Sequence, residues 1–251
     1  MREEQISIGN LRVNYKIAGE GPAVLILHGW GSKSEKWQRT GELLVEKGLK
    51  VIIPDLPGFG KTQQPQKPWG LGEYCDFVEK LTDYFNLESF FLLGHSFGGA
   101  VAIKFSLNRP EKVKKLFLAA AACVRKKTFK KRALAAMSKI FKFFSFLPFY
   151  NLLRRALYKF FVRKSDYPYF GGVMRDSYLK IIGEDLSEKL SLIKIPTVII
   201  WGEKDEVTPI EEGRFINQRI KESKLAVIPK TGHDLEQQKP EILAQEIIQS
   251  L

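Results

Sequence analysis

The six residues Gly94-His95-Ser96-Phe97-Gly98-Gly99 constrain this chain more than any other stretch. An apolar run, Phe90–Leu93, precedes them, and a helical stretch, Ala100–Leu107, follows and is stopped by Asn108-Arg109-Pro110. A strand that becomes a helix within so few residues must turn sharply. The serine at the corner is then forced into a strained backbone conformation with its Oγ exposed. Gly94 and Gly98, two residues to either side, are needed because side chains there would collide.

Other segments supply a sheet for this corner. Gln5–Ile8 and Arg12–Ile17 alternate with period two around Gly9-Asn10, a hairpin signal. Ala23–Leu27 is a continuous apolar run, as expected of a strand buried on both faces. Leu49–Ile53, Val113–Ala119, Thr197–Trp201 and Leu225–Ile228 also read as strands. Helical patterns lie at Ser34–Lys47, with Ser34 as N-cap, and at Leu71–Phe85, Ile210–Ile220 and Pro240–Leu251. Strands alternating with helices predict the α/β class, with a parallel, doubly wound sheet. A length of 251 residues suits one large domain or one domain with an insertion.

Residues 122–190 interrupt that rhythm. They carry no strand signal and read as short helices at Lys127–Phe146, Tyr150–Val162 and Met174–Ile182, with Pro148 between the first two. The expected organisation is a core of residues 1–121 and 191–251, with 122–190 inserted as a helical cap, or lid. Nine of the eighteen phenylalanines fall between Phe129 and Phe170. In the first cap helix Phe129, Leu134, Met137, Ile140, Phe141 and Phe144 share a face, with lysines largely opposite. That face is expected to cover the catalytic edge, and Phe141 and Phe144 are the candidate acyl-pocket residues.

The chemistry needs partners for Ser96. A serine hydroxyl at its ordinary pKa is a poor nucleophile and requires a base. His233, in Gly232-His233-Asp234 after the last strand, falls on a loop at the C-terminal edge of the sheet, as Ser96 does. An acid must orient the imidazole, and Asp205 in Gly202-Glu203-Lys204-Asp205-Glu206 is the candidate. Glu203 and Glu206 are near competitors, expected to face water. Asp234 adjoins His233 in the chain, and adjacent side chains rarely meet edge-on. A tetrahedral intermediate needs two backbone N–H donors. Phe97 supplies one, and Trp30, in His28-Gly29-Trp30-Gly31, is placed for the other. His28 is expected to brace that oxyanion loop, and His95 to be packed.

Taken together, His28-Gly29-Trp30-Gly31, Asp55-Leu56-Pro57-Gly58-Phe59-Gly60-Lys61-Thr62, Gly94 to Gly99, Gly202 to Asp205 with Pro209, and Gly232-His233 resemble the α/β-hydrolase superfamily. The likeness is to its small bacterial esterase and C–C hydrolase branch, in order and over nearly the whole chain outside the cap. The resemblance implies a mostly parallel eight-stranded sheet flanked by helices, a lid after the sixth strand, and a Ser96–His233–Asp205 triad. Haloalkane dehalogenases and epoxide hydrolases of the superfamily carry aspartate where this chain has Ser96. Asp55 matches a structural turn of the family.

The expected activity is hydrolysis of a hydrophobic carboxylic ester or lactone through an acyl-enzyme, with no metal and no cofactor. C–C cleavage of ring-cleavage products is the alternative enzyme. Charge points to further partners. The net charge is +12, yet sixteen Lys or Arg and no Asp or Glu lie between Lys112 and Ser165, leaving the remainder mildly acidic. A basic amphipathic helix suits an anionic membrane surface, which makes a membrane-bound, lipase-like protein a second alternative. No groove-reading or base-stacking motif points to nucleic acid. The sequence sets no oligomeric state. Cys75 and Cys123 form no framework, and Met1-Arg-Glu-Glu-Gln begins no signal peptide, so a cytoplasmic protein is expected. The longest stretch free of charged residues, fifteen from Ser89 to Ile103, is too short and glycine-rich to span a bilayer.

Overall fold

The computed structural model describes residues 1–124 and 171–251. Eight strands form one sheet: β1 (Arg2–Ile8), β2 (Leu11–Ala18), β3 (Ala23–Leu27), β4 (Lys50–Pro54), β5 (Phe90–His95), β6 (Val113–Ala119), β7 (Thr197–Gly202) and β8 (Ser223–Ile228). Their order is β1-β2-β4-β3-β5-β6-β7-β8. β1 and β2 make the expected antiparallel hairpin, and β2 also pairs antiparallel with β4; the other pairings are parallel. β3 is buried at every position, as its unbroken apolar run requires.

The register sets up the site. Leu27 of β3 lies opposite Gly94 of β5, so the loop of residues 28–31, expected to supply an oxyanion donor, and the serine turn leave adjacent strands side by side. Gly202 of β7 lies opposite Ile228 of β8, so the loops holding Asp205 and His233 also leave together. The chain runs from β3 outward to β4, then crosses back to β5 on the other side of β3. A crevice opens at such a switch point, at the carboxyl ends of the strands.

The helices among the described residues are α1 (Gln38–Val45), α2 (Leu71–Tyr84), α3 (Phe97–Asn108), α4 (Gly172–Gly183), α5 (Ile210–Arg219), α6 (Leu235–Gln238) and α7 (Pro240–Ile248). α1 packs on α7, and α2 packs on α3. α3 is apolar on nearly every side and is buried accordingly. Trp37, Trp201, Tyr74, Phe90, Phe105 and Phe117 are the largest fully buried side chains. Each contributes about 1.5–3 kcal/mol through removal from water. No helix among the described residues is long and apolar enough to cross a membrane.

Three expectations need correction. Ser34 is not an N-cap: a 3-10 turn, Ser34–Trp37, precedes α1, and the Ser34 N–H donates instead to Asp55 Oδ1 at 2.6 Å. α3 begins at Phe97 rather than Ala100, because the strained serine itself occupies the N-cap position. The short helix α6 was not expected. The helices expected at Lys127–Phe146 and Tyr150–Val162, with Phe141 and Phe144, lie outside the described residues. α4 matches the helix expected at Met174–Ile182, one or two residues longer at each end. The Leu186 N–H donates to the Cys123 carbonyl at 3.1 Å, so the flanks of the segment meet. Cys75 and Cys123 are both free and buried, and burial pushes the Cys75 thiol up to about 12.

The glycines at the serine turn generate a prediction. A Cβ on Gly98 would overlap the Leu27 carbonyl oxygen, whereas one on Gly72 of α2 would meet nothing closer than Lys104 Nζ at 4.0 Å. Gly98→Ala should therefore cost about 2 kcal/mol or more from overpacking. Gly72→Ala should stabilise by about 0.5–1 kcal/mol, the helical gain of alanine over glycine. Urea unfolding of the two variants checks this, and equal effects would refute the close approach at the turn.

Candidate active site

Ser96 stands between the end of β5 and the start of α3 with φ 51° and ψ −114°, a strained conformation for a residue with a side chain. Backbone bonds hold it there: its N–H donates to the Ala119 carbonyl at 3.0 Å, and its own carbonyl accepts from Ala122 at 2.9 Å. Gly94 sits against the Gly98 carbonyl and Ala102, too close for any side chain. The side chain of Ser96 is half-buried.

Asp205 lies in the loop after β7, buried, and its carboxylate accepts four hydrogen bonds. The backbone N–H groups of Val207 and Thr208 donate to Oδ1 at 2.8 and 2.9 Å. Thr208 Oγ1 and His233 Nδ1 lie 2.8 Å from Oδ2. Burial alone would raise this carboxyl, but the hydrogen bond and charge of His233, with the Thr208 groups, hold it below the usual carboxylate range. An ionised carboxylate only accepts, so His233 Nδ1 directs a hydrogen at it, and in the neutral ring Nε2 is the nitrogen left to accept. The two loops are laced together. Lys204 N–H donates to the Thr231 carbonyl at 2.8 Å, and Gly202 sits against the carbonyls of Thr231 and Gly232. Glu203 and Glu206 are exposed, as is Asp234.

The structure thus brings Asp205 and His233 into direct contact. Ser96 is joined to them through its neighbour: His95 Nε2 lies 3.0 Å from the His233 carbonyl oxygen. Among the described residues no hydrogen bond joins Ser96 Oγ to His233. Contacts between a nucleophile and its base commonly tighten only around the reacting group.

The loop from His28 to Gly31 leaves β3 beside Ser96. Gly29 is so near that a Cβ there would stand 3.3 Å from Ser96 Cβ, which brings the Trp30 peptide against the serine. Phe97 is the first residue of α3, so its N–H is one of the first-turn donors that a helix cannot satisfy itself. The Trp30 ring packs edge-on to Phe59 (4.7 Å) and Phe97 (5.3 Å) and tilts against Tyr178 of α4 (5.3 Å). His28 is fully buried. Its Nε2 accepts the Leu56 N–H at 2.9 Å, so Nδ1 carries the hydrogen and donates to the Gly29 carbonyl at 2.8 Å. Burial pushes its pKa down to about 4, and it braces the loop as a neutral ring. Asp55 Oδ2 accepts from Asn14 Nδ2 and from the Lys61 N–H, both at 2.9 Å, which with Ser34 accounts for its structural role.

Sequence reasoning did not find Thr208, whose hydroxyl also reaches the Ala120 carbonyl at 3.2 Å. The only signal was a threonine three residues after Asp205. It also did not find Phe59 and Tyr178 as partners of Trp30. Among the described residues, no three His, Cys, Asp or Glu side chains are grouped to hold a metal ion.

Comparisons with known proteins agree with the fold. A family model described as alpha/beta hydrolase fold matches residues 22–170. The chain is 26% identical over 248 residues to a 2-hydroxy-6-oxononadienedioate/2-hydroxy-6-oxononatrienedioate hydrolase of Comamonas testosteroni, spanning 90% of this chain and 86% of that one. It is 25% identical, over the same shares, to a 2-hydroxy-6-oxo-6-phenylhexa-2,4-dienoate hydrolase of Burkholderia cepacia. An esterase from Exiguobacterium antarcticum superposes with TM-score 0.76 at 24% identity over 98% of this chain and 97% of its own, a likeness of fold.

Glu236 of α6 generates a prediction. It is buried, and its Oε2 meets no hydrogen-bond partner among the described residues. Burial, with Asp234 adding to it, pushes the carboxyl from 4.5 up to about 7 against the pull of Lys36 and His233. Between those pH values the folded chain keeps a proton that the unfolded chain has released. The stability tied to the protonated carboxyl is therefore whole below about 4.5 and is lost as pH rises toward 7. Glu236→Gln should gain about 2–3 kcal/mol over the parent at pH 8 and little at pH 4.5. Urea unfolding at the two pH values measures this; equal gains at both would rule it out.

Proposed function

Because the chain belongs to the alpha/beta hydrolase fold family, we propose that it is a serine hydrolase of hydrophobic carboxylic esters or lactones. One observation carries this reading: His233, oriented by an ionised Asp205 at 2.8 Å, shares a sheet edge with a serine held in a strained turn. Ser96 Oγ attacks the acyl carbonyl while His233 Nε2 takes its proton. The charge on the resulting imidazolium is met by Asp205 through Nδ1–H. The developing oxyanion takes the N–H groups of Trp30 and Phe97. His233 then passes the proton to the leaving alcohol. A water, deprotonated by the same nitrogen, attacks the acyl-enzyme and frees Ser96 and the acid. No step calls on a metal or cofactor.

In the same reading residues 122–190 form the lid. Phe141 and Phe144 line the acyl pocket, and the aromatic cluster of Trp30, Phe59, Phe97 and Tyr178 forms the wall on the core side. The basic stretch is the surface offered to anionic membranes, and the protein works in the cytoplasm. A second reading, C–C hydrolysis of a carboxylate-bearing ring-cleavage product, is favoured by the names of the Comamonas and Burkholderia relatives. Turnover of p-nitrophenyl esters from acetate to palmitate, measured beside lactones and a ring-cleavage product, separates the two. A higher kcat/KM on the ring-cleavage product would replace the first reading with the second.

Two variants test the shared chemistry. Ser96→Ala should abolish turnover with the fold intact, and a fluorophosphonate should label the parent once, at Ser96. Labelling that survives in Ser96→Ala would falsify the nucleophile. Asp205→Asn should lower kcat on the order of 10⁴-fold, since the amide favours the wrong imidazole tautomer. Near-parental rates in Asp205→Asn, with loss in Glu206→Gln, would move the role to Glu206.

A further inference from the structure

We propose that His95 is a positioning residue that ties His233 to the serine turn, an inference that rests on reading Ser96 and His233 as nucleophile and base. His95 ends β5 and is buried, with its ring between two loops. On one side its Nε2 lies 3.0 Å from the His233 carbonyl oxygen, and the two imidazole centroids are 4.9 Å apart. On the other, Gly29 comes so near that a Cβ there would stand 3.0 Å from His95 Nδ1. Trp37 closes a third side at 5.7 Å between centroids.

The geometry assigns the tautomer. A carbonyl oxygen only accepts, so the hydrogen is on Nε2 and Nδ1 is bare. His95 Nδ1 meets no partner among the described residues, as a bare nitrogen in a dry contact would. Burial, and then the neighbouring His233, push the His95 pKa down to about 3. The ring therefore stays neutral while its donor stays in place. It sets no second positive charge beside the imidazolium that forms on His233.

The bond matters because of what it connects. The His233 carbonyl also accepts from the Leu235 N–H at 3.0 Å, but that bond is internal to the turn. Gln238 Oε1 accepts from Gly232 N–H at 2.8 Å, again within the turn and the short helix after it. Asp205 holds the far side of the imidazole. The His95 bond instead joins the turn to β5, at the residue that immediately precedes Ser96. It fixes the base relative to the nucleophile across a path of one residue. A displacement of about 1 Å between reacting groups costs on the order of 10²-fold in rate, so a single bond at this point has leverage on kcat without touching substrate.

Two amide variants act as a ruler. His95→Gln sets an N–H donor at about the reach of Nε2, and His95→Asn carries the same group one carbon short. The glutamine variant should keep kcat within about threefold of the parent, the scale of a single neutral hydrogen bond. The asparagine variant should lose about tenfold to a hundredfold in kcat with little change in KM. Its rate of fluorophosphonate capture at Ser96 should fall in parallel. A merely structural role would lower the melting temperature of both variants and leave no difference between them in kcat. Equal kcat for the two folded variants, or capture by His95→Asn at the parental rate, overturns the proposal. Side-chain ¹⁵N spectra of the unmutated protein test it without any variant: His95 should be a neutral Nε2–H tautomer that does not titrate down to pH 5. An Nδ1–H tautomer, or titration above that pH, overturns it too. Turnover that survives in Ser96→Ala would instead refute the reading of the site, a separate outcome.

Discussion

Backbone meets backbone at the turn from β5 into α3, and the rest of the structure is arranged around that contact. Gly98 approaches the Leu27 carbonyl of β3, and Gly94 approaches the Gly98 carbonyl, at distances no side chain would allow. This closeness lets the chain reverse within one residue, with Ser96 carrying the strain at φ 51°. It also draws the start of the oxyanion loop against the serine, since Gly29 follows the same strand. Once α3 is pulled so deep into the sheet little of it faces solvent, and its sequence is correspondingly apolar on nearly every side, Lys104 apart.

A site built in such a place has to manage charge without water. Burial works against each ionised group, and the protein answers in two ways. Asp205 is kept ionised by four donors from Val207, Thr208 and His233. His28 and His95 are instead held neutral, with pKa values near 4 and 3. Each spends its N–H on a backbone carbonyl of a loop: Gly29 for the first and His233 for the second. Imidazoles that never charge can brace the loops around a reacting centre without altering the field at it.

α4 joins this frame from the far side of the sequence. Met174 fills the space where a Cβ on Gly58 would lie, and the φ of 91° at that glycine independently disfavours a side chain. Ser177 Oγ accepts the Trp69 N–H at 2.9 Å, and Tyr178 lies against Trp30. Lys104 of α3 pairs with Glu184 just beyond the helix at 2.7 Å. The end of the segment between β6 and β7 is thereby anchored to the loop before α2 and to the oxyanion side. In the proposed reading, the reaction belongs to the core and the choice of substrate to this segment.

How much of this was legible in the sequence depends on the range of the interaction. β3 to β7 are short runs whose central residues are mostly buried by the sheet itself, so their apolar character is written locally; these strands, and the half-buried edge strand β8, were readable to within a residue or two. The Gly-x-Ser-x-Gly turn, the acid and histidine loops and the oxyanion loop were readable for a similar reason: each is a strand end followed by its own residues. Ser34 was misread because its N–H is taken by Asp55, 21 residues away. The four residues of α6 are too few to show a period. Thr208 sits in reach of Asp205 by sequence, but its contact with the Ala120 carbonyl spans 88 residues. The link from His95 to His233 spans 138. The sequence by itself determined the fold class and pointed to the side chains that the proposed site draws on, because burial patterns and turn chemistry are local. Only the tertiary structure decided which loops meet, which imidazole stays neutral and what holds the base in place. Those follow from strand register and from burial by residues distant in the chain.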